Sequence, residues 1–395
     1  LGKDALILTR FVYHEAMSEL FNIKADVFSN GQSIKQDELI GKEVTITLQL
    51  GKKKQRYLHA VVADVTALGE RVSEDAAGGE YRDYVLKLVP AAWYMQHRVN
   101  SRIFRAKNVL KIVEQIAGEH GVKIDVAAKI QASYPDYDFK VQYQESDFNF
   151  IARLLQQEGI FYYFEHTQSS HKLILADKAA AYEPNAEAKV KFFSGSLSEA
   201  HIHSWQKALV MAPGKFVQRH FDLKKPTALP TGTASKGQLV TGHADYEVFS
   251  YDAESEFHPR AKAIADIRLE ALQRDIARRN GASNCRTFSI AKTFTITEHE
   301  DAAEVGKQYV LTDLVLTAEI SSQTGAKKSA QQQISNTFYC VPKEVAYRPR
   351  LSAAKPVIHG VQTATVTCKG SEEISIDELG RVTVKFHWDR SAVKD

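Results

Sequence analysis

Three short clusters in this 395-residue chain carry side chains able to do chemistry. His201-Ile202-His203 puts two imidazoles on one face of a strand, which is how some zinc sites begin. No third ligand follows at a recognisable spacing, so structural or solvent-exposed histidines are expected, with a metal hydrolase on His201 and His203 as the remote rival. In His387-Trp388-Asp389 a period of two puts the acid and the imidazole on one face and the indole on the other, but no nucleophile stands near in sequence. That cluster is expected to stabilise a barrel through Trp388, with Asp389 and Arg390 or Arg381 paired at a strand end. Glu372-Glu373 and Asp377-Glu378 lack the Asp-rich loop of a calcium site and suggest a solvated turn. Cys285, Cys340 and Cys368 are odd in number and widely spaced, which suggests neither a disulfide framework nor a zinc site and fits a reducing compartment.

The bulk chemistry excludes several function classes. A net charge of +3 from 51 basic and 48 acidic residues leaves no footprint for nucleic acid. The one basic run, Lys52-Lys53-Lys54, is expected to be a solvated hairpin tip, with an anion-binding patch as the alternative. No apolar run approaches the ~20 residues of a membrane span, and the first residues lack the regions of a secretory signal. The expectation is a polypeptide made in the cytoplasm, without a stable membrane anchor, that leaves only through a dedicated machine.

The elements follow from periodicity. Residues 143–164 hold the pivot. Ser146 and Asp147 suit an N-cap and an acidic first turn, and Phe148, Ile151, Leu154 and Leu155 share one helical face until Gly159 takes a left-handed exit. Ile160 to Phe164 is bulky on both alternating faces, so both should be covered, one by this helix and the other by another element or another chain. Upstream, strands recur from Phe21 to Trp93: Val44, Ile46 and Leu48 alternate with Thr45 and Thr47, and Pro90 closes the run from Tyr84. Val109, Ile112, Val113, Ile116 and Ala117 then predict a helix ended by Gly121.

Downstream, 213–242 is rich in Pro, Gly and Thr and is expected to be an exposed excursion. Ile264, Ile267, Ala271, Leu272 and Ile276 predict one long helix over 260–280, ended by Gly281 and packed on a barrel. Strands are expected over 288–298 and 308–318, a hairpin loop around Gly325, and a linker near Tyr347-Arg348-Pro349. Composition alone supports only a soluble, mostly β, multidomain chain, of a size at which two to four domains are usual, and the helical spacing after Ser101 marks an α+β insert within it.

Several stretches resemble the VgrG family, the spike proteins of type VI secretion systems, whose N-terminal half is similar to the hub of contractile phage tails. They are Ser101-Arg102-Ile103-Phe104, the register of Tyr143 and Asp147, and Leu154 with Glu158-Gly159-Ile160, Tyr162 and Phe164. The last is Gly380-Arg381 leading to Phe386, Trp388, Asp389 and Arg390. His59 departs from the glycine of many relatives. The resemblance implies a fold of two tail-tube-like β-barrels, a helical insert domain and the start of an OB-fold. Its division would be 1–95, 96–180, 181–346 and 347–395, the last a linker with a partial OB-fold. It further implies a structural homotrimer without catalysis or cofactor, partnered by the Hcp hexameric tube, a spike tip protein and effectors, and injected by the type VI machine. A phage tail hub, or a VgrG whose catalytic domain lies beyond residue 395, are the alternatives.

Overall fold

The N-terminal strands form an arc. In the computed structural model they are β1 (Ile7–Ala16), β2 (Asn22–Asn30), a single turn α1 (Gln36–Leu39), β3 (Glu43–Gln49), β4 (Gln55–Val72) and β5 (Glu80–Val89). The structure describes residues 5–30, 33–50, 54–72, 80–197, 199–222, 226–227, 229–235, 242–252, 260–321, 331–368 and 375–390. Residues 51–53 at the β3–β4 tip, the loop around Gly325 and Glu372-Glu373 lie outside them. β1 escapes the period-two reading because Arg10, His14 and Glu15 interrupt its apolar residues, although Phe11, Tyr13 and Glu15 all turn inward.

The insert follows as β6 (Val99–Lys107), α2 (Val109–Glu119), β7 (Ile124–Lys129), β8 (Tyr137–Ser146), α3 (Asp147–Glu158), β9 (Phe161–His166) and β10 (His171–Ala176). β6 pairs with β8, and β10 lies between β7 and β9. α2 starts at the Asn108 cap, buries the five predicted apolar residues and ends near Gly121. α3 starts at Ser146, whose hydroxyl accepts from Asn149 N, and stops at Gly159 with φ +72°. Its amphipathic pattern is misleading. Asp147, Arg153, Gln156, Gln157 and Glu158 are buried along with Phe150, Ile151, Leu154 and Leu155, while Phe148 is only half-buried.

Chain 183–342 closes a barrel. Its staves are β11 (Glu183–Phe192), β12 (His201–Lys207), β16 (Arg279–Ser283), β17 (Lys292–Ile296), β18 (Gln308–Ser321) and β19 (Gln331–Pro342). The order β17-β11-β12-β16-β19-β18 returns to β17 through a β17–β18 ladder. Phe288, Phe294, Tyr309 and Phe338 fill it with stacked and edge-on rings. Phe288 lies outside the strand expected to begin there.

The same β18 continues into the arc, in the order β18-β1-β2-β5-β4-β3. The expected first barrel is therefore an open sheet: among the described residues β3 has a ladder partner only in β4, and one wall comes from the far end of the chain.

The expected long helix is two elements. α4 (Ala261–Gln273) ends at a turn, and Arg279 to Ser283 enter the barrel as β16. Gly281 does not terminate a helix; it sits opposite Phe338, where an added Cβ would lie 2.2 Å from the ring. Nor is 213–242 simply an excursion. β13 (Lys215–His220), β14 (Thr231–Ser235) and β15 (Glu247–Asp252) form a small sheet that covers α4 through Phe216, Ala234, Ala265 and Leu269. Apolar content is low there because small residues permit close approach: a Cβ on Gly232 would meet the Ala261 carbonyl oxygen at 2.0 Å.

β9 and β10 are the wall between two cores. Ile160, Tyr162, Phe164, Leu173 and Leu175 face the core of the arc and insert, while Phe161, Tyr163, Ile174 and Ala176 face the core of the barrel. The two-sided bulk is thus covered within one chain and needs no second copy. Past the barrel, β20 (Ala364–Thr367) and β21 (Thr383–Phe386) pair as a small ribbon.

Candidate functional site

α3 is clamped at both ends by charge. At its start the fully buried Asp147 carboxylate accepts from His120 Nε2 at 2.8 Å, Gln142 Nε2 at 2.7 Å and Arg102 Nη2 at 3.2 Å, and from Arg98 Nε. These donors come from the end of α2, from β8, from β6 and from the strap before β6. A carboxylate in the first helical turn also meets the unpaired N–H groups and the positive end of the helix dipole. Burial pushes the Asp147 carboxyl up, but the bonds from His120, Gln142 and Arg98 outweigh it and leave it below the ordinary carboxylate value. Arg102 donates its Nη1 to both Glu119 oxygens and lies over the Phe104 ring, which stacks on Phe150. Ser101 Oγ accepts from Gln144 N, whose residue sits at φ +46°. Ile103 is half-buried beside it. The SRIF stretch and Asp147 are thus one joint.

The other end is held by cations. Glu158 is buried and accepts from Tyr137 Oη at 2.8 Å and from Arg260 Nη2 at 2.7 Å. Arg268 donates to the Gln156 carbonyl at 3.1 Å, and Arg348 Nη1 to the Gly159 carbonyl at 3.0 Å. Arg348 also reaches the Asp177 carbonyl at 2.6 Å and Glu270 Oε2 at 2.8 Å. Guanidinium groups at the last carbonyls complement the negative helix end. Tyr347 beside it is buried, and its hydroxyl donates to the Met17 carbonyl at 2.8 Å. This is a correction to the expected linker: Tyr347 and Arg348 are anchored in α3, α4 and the turn after β1.

Tyr143 joins the tail to the insert. Its hydroxyl accepts from Gln362 Nε2 at 3.0 Å, and the Trp388 ring meets its edge at 5.3 Å. Trp388 is half-buried, stacks on Phe386 and donates to Gln362 Oε1. Arg381 pairs with Asp377 across the Gly380 turn at 2.5 Å, and Arg390 is exposed. His201 and His203 do not converge on a site. Each His201 ring nitrogen faces a main-chain carbonyl, of Glu199 and Gly195, and His203 is exposed. Among the described residues no three His, Cys, Asp or Glu side chains gather as metal ligands would.

The phage tail baseplate hub (GPD) family matches residues 14–322, most of the chain. The type VI secretion system spike protein VgrG1c of Pseudomonas aeruginosa is 30% identical over 403 residues, covering 99% of this chain and 53% of its own length. The chain is a VgrG-family hub protein. The actin cross-linking toxin VgrG1 of Vibrio cholerae is 25% identical over 94% of this chain but only 33% of that toxin. The VgrG-family chain spans about half the length of the Pseudomonas relatives it matches. Among solved structures, a type VI secretion component of E. coli, described as similar to T4 bacteriophage tail proteins gp27 and gp5, has a TM-score of 0.68. It is 18% identical, covering 98% of this chain and 88% of that one.

Several residues of the VgrG joint were not legible in its sequence: Arg98, Glu119, His120, Arg260, Arg268 and Arg348. Their partners lie up to 189 residues away. Glu119 and Arg268 stand on apolar helices as ordinary solvated charges do, and Arg98 and Arg348 lie outside any helix and gave no periodic signal. Bridging of this kind makes and breaks no covalent bond; it fixes the angles at which insert, small sheet, barrel and tail meet.

Proposed function

We propose that the chain is the hub portion of a homotrimeric type VI secretion spike, seated on the Hcp hexameric tube and bearing a spike tip protein and effectors. The observation that supports it is the clamped α3, which ties the insert, α4 and the tail segment to one point, as load transfer from spike to tube demands. Three chains, each with one barrel and one arc, would offer six tube-facing sheets, matching a threefold spike to a sixfold tube. The divisions at 95, 180 and 346 and the OB-fold of the tail belong to this reading. So does the absence of intrinsic catalysis: a toxin activity like that in the name of the Vibrio relative would sit in chain beyond the matched part. The protein would be synthesised in the cytoplasm and injected by the machine.

Light scattering of the chain at micromolar concentration is the first test. A threefold mass supports the reading, and a monomer with native circular dichroism sinks it. Binding to assembled Hcp tubes should exceed binding to a single ring, because several weak contacts act together.

A further inference from the structure

His59 on β4 and His171 on β10 meet ring to ring in the wall between the arc and the insert. Both are nearly buried. The Ala91 N–H donates to His171 Nε2 at 2.8 Å, so that nitrogen carries no proton. The His171 proton therefore sits on Nδ1, 2.9 Å from His59 Nδ1, which accepts it. His59 is left with its own proton on Nε2, 3.8 Å from Glu43 Oε2. A third ring packs against the pair. His166 Nδ1 touches the His59 main chain at 3.1 to 3.2 Å, and its Nε2 meets the Tyr13 hydroxyl at 3.2 Å. Phe21 closes the cluster against His166 and His171.

This arrangement has no place for an extra proton. On His171 it would point Nε2–H at the Ala91 N–H; on His59 it would point Nδ1–H at the His171 Nδ1–H. We propose that the His59–His171 pair is a proton-operated latch, tying the N-terminal arc to the β9–β10 hairpin while neutral and releasing it when either ring gains a second proton.

The surrounding charges fit a latch held neutral. Lys123 opposes protonation of both rings and Arg56 that of His166, whereas Glu43 alone favours it at His59. Glu15 lies behind Tyr13 and shares with His166 and Arg56 a cavity of about 450 Å³, a route for water to the cluster. Burial, then the neighbouring histidines, depress His171 to about 4 and His166 to about 3. In the opened state the rings regain an ordinary value of 6.5. Opening therefore takes up protons below about pH 6.5, and each proton raises the open fraction up to about tenfold per pH unit.

Hydrogen exchange of the whole chain from pH 7.5 to 4.5, corrected for intrinsic rates, reads this directly. Peptides spanning residues 56–62 and 161–175 should lose protection at least about tenfold per pH unit below 6.5, while barrel peptides over 309–315 hold theirs. His171→Gln should flatten that slope, and His203→Gln should leave it unchanged. Latch peptides that track the barrel peptides overturn the proposal. Should His171→Gln not fold, ring ¹⁵N spectra of the unmodified chain decide. Neutral rings at pH 5.5, with His171 protonated on Nδ1 and His59 on Nε2, support the latch; titration of either ring near 6.5 refutes it.

Discussion

Replacing Arg348 by Met keeps most of the aliphatic stem and removes the guanidinium that joins Gly159, Asp177 and Glu270. Its three hydrogen bonds measure 3.0, 2.6 and 2.8 Å. Bonds from a charged donor contribute about 1.5 to 3 kcal/mol each, so three give roughly 5 to 9 kcal/mol at face value. Arg348 and Glu270 are only 15% and 16% exposed, yet water can reach some of what is vacated. We therefore expect a loss of about 4 kcal/mol, the range measured when one partner of a buried pair is removed. Arg348→Lys keeps the charge but not the planar fork and should lose about half as much. Urea denaturation gives the stability change. Limited proteolysis shows where it acts: cleavage should appear first between residues 349 and 362, the exposed stretch the anchor holds. If Arg348→Met stays within about 0.5 kcal/mol of the parent, as ordinary surface changes do, the clamp contributes nothing and the load-transfer argument falls with it.

Asp147→Asn should cost about 3 to 5 kcal/mol, because Arg98 and Arg102 lose a buried counter-charge and His120 an anionic acceptor; in the parent, Asp147 stabilises above its unfolded pKa and that contribution fades as pH falls through its lowered folded value, which an acid titration followed by circular dichroism would detect and Asp147→Asn should abolish. Gly281→Ala drives a methyl into the Phe338 ring and should cost about 1 to 3 kcal/mol, with Phe338→Leu recovering part of it in a double-mutant cycle; additive losses would contradict the contact. Glu15 runs the other way. Burial raises its carboxyl from 4.5 to about 7, so its contribution is complete below pH 4.5 and is lost as pH rises through 7, about 3 kcal/mol in all. The denaturation midpoint of the parent, taken relative to Glu15→Gln so that the histidine contributions common to both cancel, should fall as pH rises from 5 to 9.

Period and punctuation made much of this fold legible. The Ser146 cap, the Gly159 exit and the five apolar residues of α2 are local chemistry, and each stands where spacing predicts. What failed depended on distance. Ile276 and Gly281 continue the rhythm of α4, yet tertiary pairing with β12 and β19 draws 279–283 into the barrel. The strands of the small sheet hide in a Gly- and Thr-rich stretch because α4 approaches them too closely for large side chains. At the joint, Arg102 and Asp147 were recognisable, whereas Arg260 and Arg348 looked like ordinary surface cations. The bulk of Ile160 to Phe164 pointed correctly to two covered faces, but sequence could not distinguish a second core of the same chain from a neighbouring one.

β18 serves the barrel with Tyr309, Val310, Leu311 and Leu314 and the arc with Leu316 and Ala318. A strand held in common makes the two cores poor candidates for separate lives. A ribosome that has released the first 180 residues has made an arc without β18, and β1 must wait with an open edge until residues 313–319 emerge. Until then that edge is an invitation to wrong partners. The order of synthesis thus opposes the usual economy of folding one module at a time. Chaperone demand should be set less by the chain's length than by the delay before this strand arrives.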